Sequence, residues 1–257
     1  MVERRSIRDF TALLFALGLA FLLLVLGAQF VFGSAPMLIG QEILKSAPAE
    51  TGAANIVTSV VLGYRGIDTL GEIAILFAAA TAAGLILGKR RENVRNQNVR
   101  RDPEGGVILK ASSDLLFPLL LVVGFYIILH GHLTPGGGFQ GGVILAAAFF
   151  VPLLARPSRK FNHGGISVIE GLSGTAFISI GLVSLFQGNQ FLQPMLEKGQ
   201  FGSLISAGTM PLLYLAVGLK VGAELAGLLA HIADFEADVE AVVDVEANAV
   251  AKAEADS

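Results

Sequence analysis

Apolar stretches of bilayer-spanning length constrain this chain more than any other feature. A helix needs about 20 apolar residues to cross a bilayer; five stretches reach or approach that length, and a sixth is long enough but contains charged residues. The stretches are 10–32, 70–87, 115–129, 141–154, 166–186 and 204–229. The third and fourth are short and are expected to include flanking residues such as Asp114 and the glycines after Pro135. Because only 15% of the residues are charged, against about 25% in ordinary soluble domains, we predict an all-α, polytopic membrane protein with about six transmembrane helices.

Lysine and arginine are distributed unevenly among the gaps between these stretches. The N-terminal tail has 3, the gap 88–114 has 7 and the gap 155–165 has 3, whereas the intervening gaps together hold only 3. Cytoplasmic loops of membrane proteins carry the excess of lysine and arginine. Six spans with a cytoplasmic N-terminus put every crowded gap on that side, so we predict that both the N- and C-termini are cytoplasmic.

The same features divide the chain into four parts. Residues 1–88 form a two-span N-terminal membrane portion, 89–113 a basic cytoplasmic loop, 114–232 a four-span portion and 233–257 an acidic cytoplasmic tail. The tail has 8 acidic residues against one lysine, which predicts a solvated extension that is partly helical at best. Segment 53–62 is apolar but too short to span, and it is either a half-helix in the outer leaflet or a surface segment packed on its neighbours.

Two acidic residues stand at the start of the second span, in the sequence YRGIDTLGE. Asp68 and Glu72 are four residues apart and share a helix face. Neighbouring carboxylates can together hold a proton or a cation, and Arg65 is expected to balance part of their charge. Asp68 is equally well explained as a residue of the helix N-terminus. Glu72 lies one turn inside the apolar run, where acidic residues are rare, so we favour a functional role for it.

A second charged pair, Lys220 and Glu224, lies deep in the last apolar stretch. A lone charge near the bilayer centre costs about 2.5–3.5 kcal/mol, and an ion pair within the helix offsets part of that cost. The pair is therefore either a neutralising contact alone, a proton or ion relay, or a salt bridge to a partner subunit, and for Lys220 we favour a functional role over the neutralising contact. Glu170, near the cytoplasmic start of the fifth stretch, is a third candidate that is closer to water.

The connection between the third and fourth stretches has the sequence HGHLTPGGGFQGG. His130 and His132 have the pKa range needed to exchange protons with the outside medium, although a tight turn with two surface histidines explains them equally well. Irregular backbone is expected around the motif residues, which are Pro135, Gly136, Gly137, Gly138, Gly141 and Gly142. The chain has no cysteine and only 4 histidines, so neither a metal site nor a cofactor is expected.

These motifs resemble those of the Mrp-type multisubunit sodium/proton antiporter family. The sequence NIVTSVVLGYRGIDTLGE is similar to the C-terminal segment of the family's large A subunit, which is the separate E subunit of membrane-bound hydrogenases. Three sequences resemble the family's B subunit, the MnhB domain: HLTPGGGFQGGVILA, EGLSGTAF and GSLISAGTMPLLYLAVGLKVGAEL. The resemblance extends over residues 53–229 and points, within its motifs, to Asp68, Glu72, His132, Gly136, Gly137, Gly138, Lys220 and Glu224.

The resemblance implies a membrane subunit of a cation/proton antiporter complex rather than an enzyme. Such a subunit would lie in the cell membrane, contribute to the ion or proton path and to assembly, and have complex I-like large subunits and small subunits as partners. The transported species would be sodium ions and protons, and no nucleic acid is involved. Two alternatives stay open: a membrane-arm subunit of a redox-driven ion pump of the hydrogenase or sulfane reductase type, and a purely structural scaffold.

Overall fold

All regular secondary structure within the described residues is helical. The computed structural model describes residues 2–29, 37–95, 105–156 and 162–255. Its elements are α1 (Val2–Gln29), α2 (Leu38–Thr51), α3 (Ile56–Thr58), a π-helical turn (Ser59–Tyr64), α4 (Gly66–Arg95), α5 (Val107–Leu129), α6 (Gly138–Ala155), α7 (His163–Phe186) and α8 (Met210–Ala255). No strand occurs in these ranges, which confirms the all-α prediction.

Six of the helices are long and apolar enough to cross a membrane, the number predicted from the sequence. The spans are Phe10–Gln29, Gly66–Leu87, Val107–Leu129, Gly138–Ala155, His163–Phe186 and Met210–Ala233. As expected, the third span includes Asp114 and the fourth begins among the glycines. The start of the sixth span was predicted six residues too early. Gly202 and Gly208 adopt φ values of 85° and 57°, which a helix does not allow, and Pro211 is favoured in a first helical turn.

The chain forms two compact units, Met1–Glu42 and Ile43–Ser257. In the second unit, α8 is the central helix. It packs against α4, α6 and α7, and α5 packs against α6. Most of the spanning part of α8 is buried, including Leu213, Val217 and Val221. Since consecutive spans run in opposite directions, the helices meet at two ends. The glycine-loop end is where residues 130–137 join α5 to α6, and the basic-loop end is where α6 ends and α7 begins.

Glycines allow α6 to approach both α5 and α8 closely. A Cβ atom on Gly141 would lie 2.7 Å from the carbonyl oxygen of Gly124 in α5. A Cβ atom on Gly142 would lie 2.9 Å from the carbonyl oxygen of Gly218 in α8. Both distances are too short for a real side chain, so these positions require glycine. Backbone contact of this kind stabilises helix pairs in lipid, where no hydrophobic force drives the helices together.

Segment 53–62 packs on neighbouring elements and connects the two sequence halves. The side chain of Asn55 donates hydrogen bonds to the carbonyl oxygens of Gly131 (2.7 Å) and Thr134 (2.9 Å). The hydroxyl of Thr58 donates to the Gly131 carbonyl at 2.7 Å and accepts from the hydroxyl of Tyr214 at 2.7 Å. Thr58 is fully buried, so these bonds satisfy polar groups that have no access to water. Of the two alternatives for this segment, the contacts favour the one in which it packs on its neighbours.

His132 lies in the same loop and is buried; its role as a proton-path residue stays a prediction. Its side chain is fully buried, and its Nε2 lies 3.3 Å from the carbonyl oxygen of Ser203. A carbonyl can only accept, so Nε2 carries the hydrogen, and Nδ1 has no hydrogen-bond partner among the described residues. Burial lowers the pKa of His132 below its usual 6.5, and the nearby His130 acts in the same direction, opposed by hydrogen bonds to the backbone of residues 203–204. His132 is therefore a neutral imidazole inside the fold.

The acidic tail continues α8 as far as Ala255. The expectation that it is partly helical at best is therefore wrong. Two physical reasons account for the error. The tail is rich in alanine, which has the highest helix propensity, and it extends an existing helix, so the unfavourable nucleation step is already complete.

The hydrogen bonds of Thr58 predict a specific cost of removing its hydroxyl. Thr58→Val keeps the shape but removes one of the two hydrogen bonds to the Gly131 carbonyl and leaves the buried Tyr214 hydroxyl unpaired, so the free energy of unfolding should fall by about 1–3 kcal/mol. Denaturant titration of the chain in detergent measures this difference. The matched control is Thr175→Val on an exposed face of α7, where a change below about 0.5 kcal/mol is expected. Equal losses in both variants would contradict the assignment.

The buried neutral state of His132 predicts a dependence of stability on pH. The unfolded chain takes up a proton near pH 6.5, whereas the folded chain does so at lower pH. Stability should therefore fall as the pH drops through that window, and His132→Gln should remove this contribution. The measurement is the thermal unfolding midpoint in detergent at about pH 7.5 and about pH 5. A decrease of the same size in the wild type and the variant would show that His132 does not contribute.

Candidate functional site

Three ionisable side chains meet between α7 and α8. The ammonium of Lys220 donates a hydrogen bond to Oε1 of Glu170 at 2.9 Å and lies 3.1 Å from Oε2 of Glu224. Lys220 is 6% exposed and Glu224 is 3% exposed. The ring of Phe77 in α4 covers the ammonium, with its centroid 4.6 Å from Nζ, which adds a cation–π attraction in a desolvated place. We call Glu170, Lys220 and Glu224 the charged cluster.

The charged cluster lies at mid-depth in the membrane span. Lys220 is ten residues after Met210 and thirteen before Ala233, the ends of the α8 span. At 1.5 Å per helical residue, these separations are about 15 Å and about 20 Å. Charge is costly at that depth, and the contacts within the cluster offset the cost.

The charges of the cluster are not evenly matched. Two carboxyl groups face one ammonium, and neither oxygen of Glu224 receives an aligned hydrogen bond from any described residue. The contact between Lys220 and Glu224 is therefore an ion pair without good hydrogen-bond geometry. The contact between Lys220 and Glu170 is both an ion pair and a hydrogen bond. Two carboxyl groups therefore compete for one ammonium, an arrangement that allows one of them to hold a proton in place of a second cation.

Two cavities lie on opposite sides of the charged cluster. Both are lined by residues of α4, α7 and α8. The apolar cavity has a volume of about 290 Å³. Its walls are mostly hydrocarbon, with Leu70, Ile73, Phe77, Phe177 and Ile178 as the large side chains. It lies toward the glycine-loop end.

The polar cavity has a volume of about 330 Å³ and lies toward the basic-loop end. Glu170, Glu224, Thr81 and His231 are its polar lining residues. Both cavities reach Glu170, so the charged cluster separates them.

The two acidic residues at the start of α4 are not part of this cluster. Asp68 lies in the first turn of α4 and forms an ion pair with Arg65, in which both side chains are at least half exposed. Arg65 therefore balances the charge of Asp68, as expected. Asp68 also lies at a helix N-terminus, as its alternative interpretation requires. Glu72 is exposed and has no hydrogen bond or ion pair with any described residue. Its role as an ion-path residue stays a prediction.

The two histidines of the glycine loop are also remote from the charged cluster. His130 is half-buried and stacks on the ring of Tyr126, with centroids 4.2 Å apart. His132 is buried against residue Ser203, as described above. The glycines of this loop provide close packing at the glycine-loop end. Within the part of the chain that the structure describes, no group of three metal-ligating side chains is arranged to hold an ion.

Two features of the site were not predicted from the sequence. The side chain of Glu170 is 23% exposed, so it is closer to water than Lys220 and Glu224, as expected. Its direct hydrogen bond with Lys220 was not predicted. His231 was not singled out, although its ring lies 4.6 Å from that of His163 and lines the polar cavity. A signal for it exists: His231 is seven residues after Glu224, which is two helical turns and therefore the same face.

Two family models match the chain. The model described as a domain related to the MnhB subunit of Na+/H+ antiporter matches residues 108–227. The model described as the E subunit of MBH matches residues 3–99. Together they cover the six candidate spans except Val107 and residues 228–233. The resemblance to MnhB and to the E subunit, read from the motifs, is confirmed.

Relatives of known sequence match most of the chain. An uncharacterised protein of Methanocaldococcus jannaschii is 31% identical over 82% of this chain and 88% of its own length. A probable K+/H+ antiporter A/B subunit of Rhizobium meliloti is 27% identical over 82% of this chain. The chain spans only 23% of that relative's length.

Two solved complexes contain a chain with this fold. One is the membrane-bound sulfane sulfur reductase, an archaeal respiratory membrane complex, with 38% identity and a TM-score of 0.72, covering 88% of this chain and 98% of the other. The second is the Mrp complex of Dietzia sp. DQ12-45-1b, with 24% identity and a TM-score of 0.66, covering 88% of this chain and 26% of the other; at this identity the likeness shows the fold alone. The chain belongs to a family of membrane proteins in which an MBH E-subunit domain and a domain related to the MnhB subunit of Na+/H+ antiporter are joined in one polypeptide.

Proposed function

We propose that this chain is a subunit of a multisubunit cation/proton antiporter complex in the cell membrane and that its charged cluster forms part of the proton path. The observation that carries the proposal is the contact of Glu170, Lys220 and Glu224 at mid-depth in the span. A scaffold needs no unevenly matched charges at that depth, where they are costly. The antiporter relatives supply the context: membrane subunits, sodium or potassium ions, and protons.

The geometry of Lys220 suggests how the cluster works. Its ammonium is within reach of two carboxyl groups, bonded to one and in poorer contact with the other. A proton that arrives on Glu224 removes that group's attraction for the ammonium and leaves Lys220 held by Glu170 alone. Loss of the proton restores the competition between the two carboxylates. The position of Lys220 thus depends on the proton content of the cluster, which is the coupling that ion exchange requires.

Glu72 has a different role in this proposal. An exposed carboxylate inside a span is costly in lipid and has no partner among the described residues of this chain. We infer that another subunit of the complex covers this face of α4 and that Glu72 lines an ion path at that interface. Asp68 and Arg65 neutralise each other at the entrance to the same helix.

A redox-driven ion pump is the second candidate for the parent complex. The sulfane sulfur reductase contains a chain that is 38% identical to this one, and the match extends over 98% of that chain. In such a complex the same membrane module would convert the energy of electron transfer into an ion gradient. The charged cluster would have the same role in both, so the two candidates differ in the partners that the chain assembles with.

The proton-path role predicts the result of neutralising Glu224. Glu224→Gln removes the titrating group but keeps the volume, so cation-driven proton flux should fall at least about tenfold, while the amount of assembled complex stays the same. The measurement is the response of a pH-sensitive dye in proteoliposomes that contain the purified complex, with assembly followed by native gel electrophoresis. Glu197→Gln, on an exposed loop, is the matched control and should leave flux unchanged. Normal flux in Glu224→Gln would favour the scaffold role.

The interface role of Glu72 predicts a separate effect. Glu72→Gln should lower sodium-dependent proton flux and leave the complex assembled, because it removes the charge without changing the helix. The same dye measurement at a series of sodium concentrations tests this, with Glu197→Gln again as the control. Unchanged flux at every concentration would mean that Glu72 is structural.

A further inference from the structure

The polar cavity connects the charged cluster with a histidine pair near the basic-loop end of the bundle. Its lining includes two members of the cluster, Glu170 and Glu224, and also His231. His231 belongs to the last two turns of the α8 span, and its ring lies 4.6 Å from the ring of His163 in the first turn of α7. The cavity therefore extends from the middle of the span to its end.

We propose that His231 transfers protons between the aqueous phase at the basic-loop end and Glu224, through water in the polar cavity, so that the charged cluster is supplied with protons from this end only. The inference rests on the proposed function, because it assigns the access route of the same cluster. The predicted topology makes this the cytoplasmic side.

The carboxyl group of Glu224 provides the first argument. It is 3% exposed, and neither of its oxygens receives an aligned hydrogen bond from a described residue, although the ammonium of Lys220 lies 3.1 Å from Oε2. A buried polar group normally has a partner from the protein or from ordered water. The polar cavity has a volume of about 330 Å³, whereas one water needs only about 10–15 Å³ of such space and a few polar neighbours. Water in this cavity would supply the aligned hydrogen bond that Glu224 lacks.

The hydrogen bond of His231 provides the second argument. Its Nδ1 lies 2.8 Å from the carbonyl oxygen of Gly227. Because a carbonyl only accepts, Nδ1 carries a hydrogen, and Nε2 is the atom that can take up and release a proton. The step is balanced: Nε2–H of the imidazolium gives its proton to a cavity water, that water gives one of its protons to the Glu224 carboxylate, and neutral imidazole and carboxylic acid remain. No other bond changes.

The surroundings of His231 are compatible with this exchange. His163 in α7 contacts the ring of His231. Glu170 in α7 and Glu224 in α8 line the same cavity as His231. From α4, the described polar lining residue is Thr81, which does not titrate. The route thus has four polar groups along it, and the rest of its lining is formed by alanine, glycine and leucine residues.

The opposite side of the cluster does not offer such a route. The apolar cavity is lined by hydrocarbon side chains, and the polar atoms of Lys220 and Glu170 there bond to each other. The ring of Phe77 lies over the ammonium on that side. Hydrocarbon walls give water few hydrogen-bond partners, so we assign no proton route through this chain to the glycine-loop end.

The first test is chemical rescue in the assembled complex. His231→Ala should lower cation-driven proton flux about tenfold, and imidazole added to the medium should restore most of it, since it can occupy the vacated place. Ile232→Ala, a truncation at the next and more exposed position, is the control and should change neither flux nor the response to imidazole. Reduced flux that imidazole does not restore would indicate a structural role and overturn the proposal, as would unchanged flux.

The second test does not depend on activity. The chain has no cysteine, so a single introduced thiol is unique in this subunit. A membrane-impermeant methanethiosulfonate reagent attacks thiolates, which form in water and not in apolar surroundings. Mass spectrometry should find Thr81→Cys labelled in the polar cavity when the reagent is on the basic-loop side, and Ala74→Cys in the apolar cavity unlabelled from either side. Labelling of both positions, of neither, or of Ala74→Cys alone would contradict one-sided access.

The tests separate this inference from the proposed function. Loss of flux in Glu224→Gln together with normal flux in His231→Ala would leave the cluster in the proton path and exclude His231 from it. Normal flux in both variants would refute the proposed function as well.

Discussion

The contact of Lys220 with two carboxyl groups in the middle of the membrane is the interaction on which the functional account depends. One ammonium and one carboxylate would be a neutral pair, and lipid-facing helices tolerate such a pair at modest cost. Glu170 adds a second carboxyl group from a different helix, so the cluster cannot be neutral unless it holds a proton. Its position also explains the surrounding structure, in which Phe77 shields the ammonium on one side and a polar cavity leads away on the other.

Close backbone packing holds the helices that form this site. Gly141 and Gly142 bring α6 into contact with both neighbours, and this fixes α8, which carries two of the three charged residues. At the glycine-loop end, the bonds of Asn55 and Thr58 tie the E-subunit segment to the MnhB domain. The E-subunit segment and the MnhB domain are therefore packed together at this point.

Much of the fold follows from the sequence, because span length and apolar composition are local properties. The contact of Lys220 with Glu224 was also predictable, since residues four apart share a helix face. The bond from Lys220 to Glu170 was not, because it joins residues 50 apart and depends on which helices pack together. The start of α8 was missed for a local reason, the conformations of Gly202 and Gly208. Glu72 shows the opposite case: the sequence singles it out, but the described residues give it no hydrogen bond or ion pair, and its role stays a prediction.

The most direct test of the central claim is to drive proton movement with a cation gradient alone. The native complex is purified with this chain, reconstituted in proteoliposomes and given an inward or outward sodium or potassium gradient without any electron donor. The account predicts proton movement in the direction opposite to the cation, at a rate that follows the size of the gradient. Proton movement that occurs only when an electron donor is supplied, or no movement under either condition, would contradict it.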